Sequence, residues 1–134
     1  MTAVEAYFAQ IRQLIQRVPA AIAERYEEQL LTATRGNLRI RLRFADEALL
    51  EISEAIVFSA GHLQWLSYLQ WLSYRYHYQD PRRNFVLRYD NTPHHPEISS
   101  HPEHKHLLEQ VVASFRPAIG DVLQEVQAVR GQKL

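Results

Sequence analysis

The sequence predicts an α+β domain with an N-terminal helix, a mainly antiparallel meander of about five strands, and C-terminal helical segments. Apolar residues recur at helical spacing near both ends of the chain, and they alternate with polar residues through its middle. Short turn sequences separate the alternating runs. A length of 134 residues, with 46% hydrophobic and 22% charged residues, fits a single domain, 1–134, and excludes a disordered or coiled-coil chain.

Several classes of protein are excluded by composition. The chain has no Cys, which rules out disulfides, thiolate metal sites and Cys nucleophiles. It shows no signal peptide, and no run approaches the roughly 18 apolar residues that a membrane span requires. We therefore expect a soluble, cytoplasmic protein that does not bind membranes.

The first 34 residues predict a helix followed by a strand. Thr2 and Glu5 have the spacing of a capping box, and apolar residues recur until Pro19, which predicts a helix from about residue 3 to 17. Residues 22–33 are ambiguous, since Ala and Glu favour a helix. The Leu and Thr residues before the turn at 35–37 favour a strand that enters a hairpin.

A period of two begins at Leu38 and predicts a half-buried strand with a row of arginines on its outer face, Arg39, Arg41 and Arg43. The next strand, 49–58, follows a three-residue loop. That loop predicts three cross-strand pairs, namely Phe44 with Leu50, Leu42 with Ile52, and Arg43 with Glu51. It also places Glu54 opposite Ile40 on the apolar face, where the carboxyl group must be paired or have a raised pKa.

Residues 63–68 are repeated as residues 69–74. Six residues are a multiple of the strand period, so the duplication keeps every side chain on its original face and predicts a longer strand or hairpin tip. An alternative is that two exposed tryptophans, Trp65 and Trp71, form a self-association surface of a homodimer.

The next predicted hairpin has a four-residue loop and places tyrosines on its core face, with Tyr78 opposite Phe85, Tyr76 opposite Leu87, and Tyr74 opposite Tyr89. Its other face then has Arg75 opposite Arg88, His77 diagonal to Arg88, and Ser73 opposite Asp90. Like charges placed opposite each other destabilise a sheet unless an acid or a bound anion lies between them. This juxtaposition indicates an anion-binding site.

Three prolines between residues 93 and 102 predict a loop. Ser100 and Glu103 have capping-box spacing, and the apolar residues from Leu107 to Phe115 predict a helix that Pro117 kinks or ends. A second helical stripe begins at Ile119.

The charge distribution fits a face that recognises anions, although by itself it favours ordinary surface ion pairs. Although the formal net charge is zero, residues 35–88 contain eight Arg and five acidic residues. The planar guanidinium binds phosphate or carboxylate through two parallel hydrogen bonds, although arginine is equally common in surface ion pairs.

Five of the seven histidines lie in one segment, at His94, His95, His101, His104 and His106. A metal site is one interpretation, since Asp90, Glu97 and Glu103 are nearby in sequence, but no H-E-x-x-H or other recognised zinc spacing is present. Acid and base catalysis is the other. A neutral His can take the proton of a ribose 2′-hydroxyl while a protonated His donates to the leaving oxygen, so RNA cleavage needs no metal.

The chain resembles the TumE family over three segments, residues 74–80, residues 87–97 with the string R-Y-D-N-T-P-H-H-P, and residues 101–106. The resemblance extends from about Asn37 through His106. It implies a bacterial toxin of a type II toxin–antitoxin module, a partner antitoxin with a helix-turn-helix domain, and action on RNA. The repeated hexapeptide and a longer segment after His106 depart from the family pattern.

We therefore expect a histidine-dependent, metal-independent ribonuclease that requires no cofactor. In this hypothesis the acid and base come from His94, His95, His104 and His106. Asp90 orients a histidine, and His77 is a reserve candidate. Arg75 and Arg88 bind the scissile phosphate, and Arg39, Arg41 and Arg43 bind the RNA backbone. Two alternatives stay open, a metal-dependent phosphoesterase or nucleotide-modifying enzyme, and a non-enzymatic arginine-rich binding module.

Overall fold

The computed structural model describes residues 1–60 and 68–131. Within these ranges the chain forms a seven-stranded antiparallel sheet, in the order β1 to β7, and two helices. The elements are α1 (Ala3–Gln16), β1 (Ala21–Thr32), β2 (Arg35–Phe44), β3 (Leu49–Ser59), β4 (Tyr68–Gln79), β5 (Phe85–Asp90), β6 (His104–His106), β7 (Val111–Ala113) and α2 (Ile119–Gly131). The α+β class and the meander are confirmed, but the expected number of about five strands is wrong.

The first helix begins at the predicted capping box, in which Thr2 and Glu5 bond each other's backbone amides. Its buried residues, Val4, Phe8 and Ile11, pack on the sheet. The approach is closest at Gly36, where an added Cβ would lie 2.8 Å from Val4 Cγ1 and 2.9 Å from Phe8 Cζ. A side chain at position 36 would therefore push α1 away from β2.

Gly36→Ala is expected to destabilise the protein by about 1–3 kcal/mol, because a methyl group there overpacks the interface between helix and sheet. Gly120→Ala is the matched control. Its Cβ would lie 3.9 Å from the nearest atom, Leu14 Cδ1, so it should cause no loss. Urea unfolding of both variants measures the difference, and equal stability of the two would contradict this account of the packing.

The β2–β3 loop has the predicted three residues, 45–47, and such a loop sets Phe44 opposite Ala48. The predicted pairs leave five residues between Phe44 and Leu50, so they are wrong by two positions. The backbone N–H of Phe44 donates to Ala48 at 2.9 Å, and Glu47 adopts a left-handed φ of 79° in the loop. Consequently Leu42 pairs with Leu50, Ile40 with Ile52, Arg41 with Glu51 and Leu38 with Glu54. A shift of two residues leaves every side chain on its predicted face, which is why alternation alone did not detect it.

The β4–β5 pairs also differ from the prediction by two positions. Gln79 pairs with Phe85 rather than Asn84, and a register irregularity between Tyr78 and Gln79 adds a further residue on β5. The resulting pairs are Tyr76 with Tyr89, Tyr78 with Leu87, Arg75 with Asp90 and His77 with Arg88. The expected placements of Arg75 opposite Arg88, His77 diagonal to Arg88, and Ser73 opposite Asp90 are therefore wrong.

The helix predicted after Ser100 is replaced by β6 and β7. The Ser100 hydroxyl donates to the Glu103 carbonyl at 2.5 Å and accepts from the Ser114 amide at 2.9 Å, so it joins two segments of chain instead of capping a helix. The short strand β6 extends the sheet beyond β5. The second predicted helix is confirmed as α2, with its apolar stripe buried at Ile119, Val122, Leu123 and Val126.

The second copy of the repeated hexapeptide lies in β4, as a longer strand requires. Most of the first copy, including Trp65, lies outside the described residues. Trp71 is not an exposed residue, because it is half-buried, makes an edge contact with Tyr7 and stacks under the Arg116 guanidinium. Trp71 thus belongs to the packing between the sheet and α1. No helix in the described part of the chain is long and apolar enough to cross a membrane.

Glu54 lies on the helix-covered face of the sheet and is buried there. Its carboxylate accepts hydrogen bonds from Tyr7 Oη at 2.7 Å and Tyr76 Oη at 2.5 Å, and Arg116 Nη1 lies 3.9 Å away. Burial nevertheless outweighs these contacts and raises the pKa of Glu54. The expectation of a paired carboxyl with a raised pKa is confirmed.

The raised pKa predicts how stability depends on pH. Because the folded state holds this proton more tightly than the unfolded state, the contribution of Glu54 is fully present below its ordinary pKa of 4.5 and is lost as pH rises through the folded value. As pH rises from about 4.5 through the folded-state pKa of Glu54, the free energy of unfolding of the wild type should fall relative to that of Glu54→Gln. Urea unfolding at a series of pH values tests this, and a difference that stays flat or rises would contradict it.

Candidate active site

The face of the sheet opposite the helices collects the predicted site residues. Pairing of β5 with β6 sets His104 opposite Asp90 and His106 opposite Arg88. These four side chains share one face, because alternate residues of a strand point the same way. The intervening Lys105 points to the other face, where it bonds Glu125 of α2 at 2.5 Å.

Three imidazoles and one carboxylate form a compact group, here called the histidine cluster and consisting of Asp90, His95, His104 and His106. The Nε2 atoms of His104 and His106 are 2.9 Å apart. Asp90 Oδ1 lies 3.0 Å from His104 Nε2, and Asp90 Oδ2 lies 3.5 Å from His106 Nε2. The ring of His95 is centred 4.9 Å from that of His104 and 5.5 Å from that of His106.

The members of the cluster differ in their access to solvent. The side chain of His104 is 1% exposed, whereas those of His106 and His95 are 26% and 28% exposed. His95 and His106 are therefore accessible from solvent, whereas His104 and Asp90 are buried behind them. Such an arrangement is suited to proton transfer by two imidazoles over a buried charge.

Asp90 is ionised within this group. Burial alone would raise the pKa of Asp90, but hydrogen bonds from the Thr92 hydroxyl and amide, with the charges of His104 and His106, hold it below its ordinary value. The pKa of His106 is lowered, chiefly by burial, although the Asp90 charge opposes this. His106 is therefore neutral near pH 7 and can accept a proton.

Two arginines border the cluster. Arg75 is paired with Asp90 across the strands, and Arg88 is paired with both His77 and His106. Arg88 Nε donates to His77 Nδ1 at 3.1 Å, and the pKa of His77 is lowered by burial and by these two arginines. His77 thus accepts a hydrogen bond that orients Arg88, and its reserve catalytic role stays a prediction.

The arginine row of β2 is partly neutralised by acids. Arg43 forms two hydrogen bonds with the Glu24 carboxylate, each of 3.2 Å, and Arg41 lies 3.4 Å from Glu51. Arg39 is exposed and lies opposite Glu27 in the β1–β2 register, but the Glu27 carboxylate forms its ion pair with Arg25, at 3.2 Å. The row therefore presents less positive charge than the sequence pattern alone indicates.

The structure does not bring every predicted histidine to the cluster. His94 is exposed in the loop after β5, next to His95 in sequence but outside the group. Sequence reasoning missed Thr92, which anchors Asp90, and the Pro102 carbonyl, which lies 2.9 Å from His104 Nδ1. The D-x-T spacing is a turn signal that identifies Thr92 in retrospect, whereas nothing local identifies Pro102.

A comparison with protein families finds one match in this chain, to a family model described as Toxin TumE, over residues 11–130. The match includes every residue of the histidine cluster and both bordering arginines. No curated protein and no solved structure matches the chain.

Proposed function

The chain belongs to the TumE family of toxins, and on this premise we propose that it cleaves RNA with its histidine cluster and without a metal ion. The observation that supports this most is the pair of partly exposed imidazoles, His95 and His106, above a buried His104–Asp90 pair. General acid and base catalysis requires two such groups close to one phosphate.

The proposed reaction begins at His106. Its neutral imidazole takes the proton of a ribose 2′-hydroxyl, and the 2′-oxygen attacks the adjacent phosphorus. His95, whose Nδ1 lies 3.4 Å from Glu97 Oε1, is the proposed acid and gives a proton to the departing 5′-oxygen. The products are a 2′,3′-cyclic phosphate and a 5′-hydroxyl, so every proton is accounted for and no water or metal is consumed.

The arginines supply binding and charge stabilisation in this proposal. Arg88, across the strand pair from His106, is placed to hold the scissile phosphate, and Arg75 lies beyond Asp90 on the same face. A groove of about 150 Å³ on this face is lined by four arginines, Arg25, Arg39, Arg41 and Arg75. It would receive the neighbouring RNA backbone.

We further propose a cognate antitoxin with a helix-turn-helix domain, as in a type II module acting in the cytoplasm. Family membership supports an antitoxin partner in general terms. A homodimer through the repeated hexapeptide remains a prediction, because residues 61–67 lie outside the described ranges.

Expression under tight induction tests the proposed function. The wild type should arrest growth and degrade cellular RNA, and His95→Ala should abolish both at equal protein level. Growth arrest with intact RNA in both strains would refute the ribonuclease and favour the non-enzymatic binding module. In that case, charge reversal at Arg75 and Arg88 should abolish the arrest.

A further inference from the structure

We propose that the histidine cluster is also a binding site for one divalent transition-metal ion, best suited to Zn²⁺, which inhibits the toxin when bound. The site itself is inferred from the geometry of the cluster, and only the inhibition rests on the proposed function. The ligands would be His95, His104 and His106, with Asp90 as the fourth.

The strongest evidence is the bonding of the ring nitrogens that face away from the cluster. His104 Nδ1 lies 2.9 Å from the Pro102 carbonyl oxygen, and His95 Nδ1 lies 3.4 Å from Glu97 Oε1. A histidine that binds a metal through one nitrogen usually donates its other N–H to a carbonyl or carboxylate in this way. These contacts leave the Nε2 lone pairs of His104 and His95 available to an ion.

The Asp90 carboxylate is arranged to contribute one oxygen. Its Oδ1 accepts from Thr92 N at 3.0 Å and from Thr92 Oγ1 at 2.7 Å, whereas Oδ2 lies 3.5 Å from His106 Nε2. His104 Nε2 faces into the cluster, 3.0 Å from Asp90 Oδ1 and 2.9 Å from His106 Nε2, while His104 Nδ1 is bonded to the Pro102 carbonyl. A cation between these atoms would be stabilised by the carboxylate charge and by the ring nitrogens.

The size of the cluster fits a small ion. One ligand atom from each of the three histidines lies within 4.8 Å of the others. Zn–N bonds of about 2.0–2.1 Å in a tetrahedral site place ligand nitrogens roughly 3.3 Å apart. The distance of 2.9 Å between the Nε2 atoms of His104 and His106 must therefore widen by a few tenths of an ångström. The partly exposed ring of His106 permits this movement.

The donor types select among cations. Three imidazoles and one carboxylate suit Zn²⁺ and its transition-metal neighbours, whereas Mg²⁺ and Ca²⁺ prefer oxygen ligands. An ion bound at His106 Nε2 would put two positive charges on the ring that must take up the ribose proton. Zn²⁺ and catalysis should therefore exclude each other.

Calorimetric titration of the metal-stripped full chain with Zn²⁺ alone tests the site. We expect one saturable Zn²⁺ site in the wild type, and an affinity for Zn²⁺ that is lower by about 100-fold or more in His95→Ala and in His106→Ala. A parallel titration of the wild type with Mg²⁺ should show no saturable binding. His101→Ala is the control, since His101 is an exposed histidine of the same segment that lies outside the cluster. Circular dichroism confirms that each variant is folded. Absence of saturable binding, or an equal loss in His101→Ala, would overturn the proposal.

Cleavage assays with added Zn²⁺ or a chelator separate this proposal from the proposed function. Zinc binding with inhibited cleavage supports both. Zinc binding without any cleavage supports the site and refutes the ribonuclease. Cleavage that a chelator abolishes supports the site but overturns the inhibition and the metal-free mechanism, and cleavage without zinc binding overturns the site alone.

Discussion

His106→Ala is expected to reduce the rate of RNA cleavage by about 10²–10⁴-fold, the usual contribution of a positioned general base. Within the cluster, His106 is partly exposed and has a lowered pKa, so the substitution removes the proposed base. The variant should fold normally because the side chain packs at the surface edge of the cluster. Initial rates on a labelled oligoribonucleotide measure the effect.

The neighbouring histidines give this prediction a matched pair of controls. His95→Ala should lose activity to a similar extent because His95 supplies the departing oxygen's proton, whereas His94→Ala should retain it because His94 lies outside the cluster. The two positions are adjacent in sequence, so a general disturbance of the loop would affect both. An active His95→Ala protein, or an inactive His94→Ala protein, would contradict the assignment of roles.

Asp90→Asn is expected to lower cleavage by about 10²–10⁴-fold and to move the acidic limb of the pH profile to lower pH. The carboxylate favours the protonated form of His106, so an uncharged side chain allows the pKa of His106 to fall further. The asparagine oxygen must accept the two Thr92 hydrogen bonds, which turns its amide toward the histidines. A hydrogen-bond donor then faces the His106 ring, which must become a cation when it takes up the ribose proton.

The pH profile distinguishes this role from a structural one. A variant that was only less stable would lose activity at every pH in proportion to its folded fraction. Loss of activity with an unshifted profile, or a shift of the acidic limb to higher pH, would refute the electrostatic role of Asp90. Thermal unfolding of the same protein samples gives the folded fraction for the comparison.

The two helices and strands β2 to β4 could be predicted from hydrophobic period and turn signals, whereas the residues of β1 were ambiguous. Alternation does not test the registers, because a shift of two residues preserves the faces. The β2–β3 register follows from its three-residue loop with a left-handed Glu47, but the extra residue in β5 could not be predicted. The segment 104–113 was predicted as a helix since two strands of three residues contain too few alternations to reveal a period of two.

The site could be predicted in its residue types but not in its arrangement. Clustering of five histidines and the nearby Asp90 indicated acid and base chemistry or a metal. Which histidines meet depends on the pairing of β6 with β5, a contact that no local pattern encodes. A different pairing, of β4 with β5, sets His77 opposite Arg88, to which it is hydrogen-bonded.

We propose that this TumE-family chain cleaves RNA by attack of the ribose 2′-hydroxyl, with the histidine cluster as acid and base. The purified full chain, in excess chelator, can be incubated with an oligoribonucleotide and with the same sequence bearing 2′-deoxyribose at every position. We expect fragments that end in 2′,3′-cyclic phosphate from the first substrate and none from the second. An uncut oligoribonucleotide under conditions where the same protein preparation arrests growth, or equal cleavage of both substrates, would contradict it.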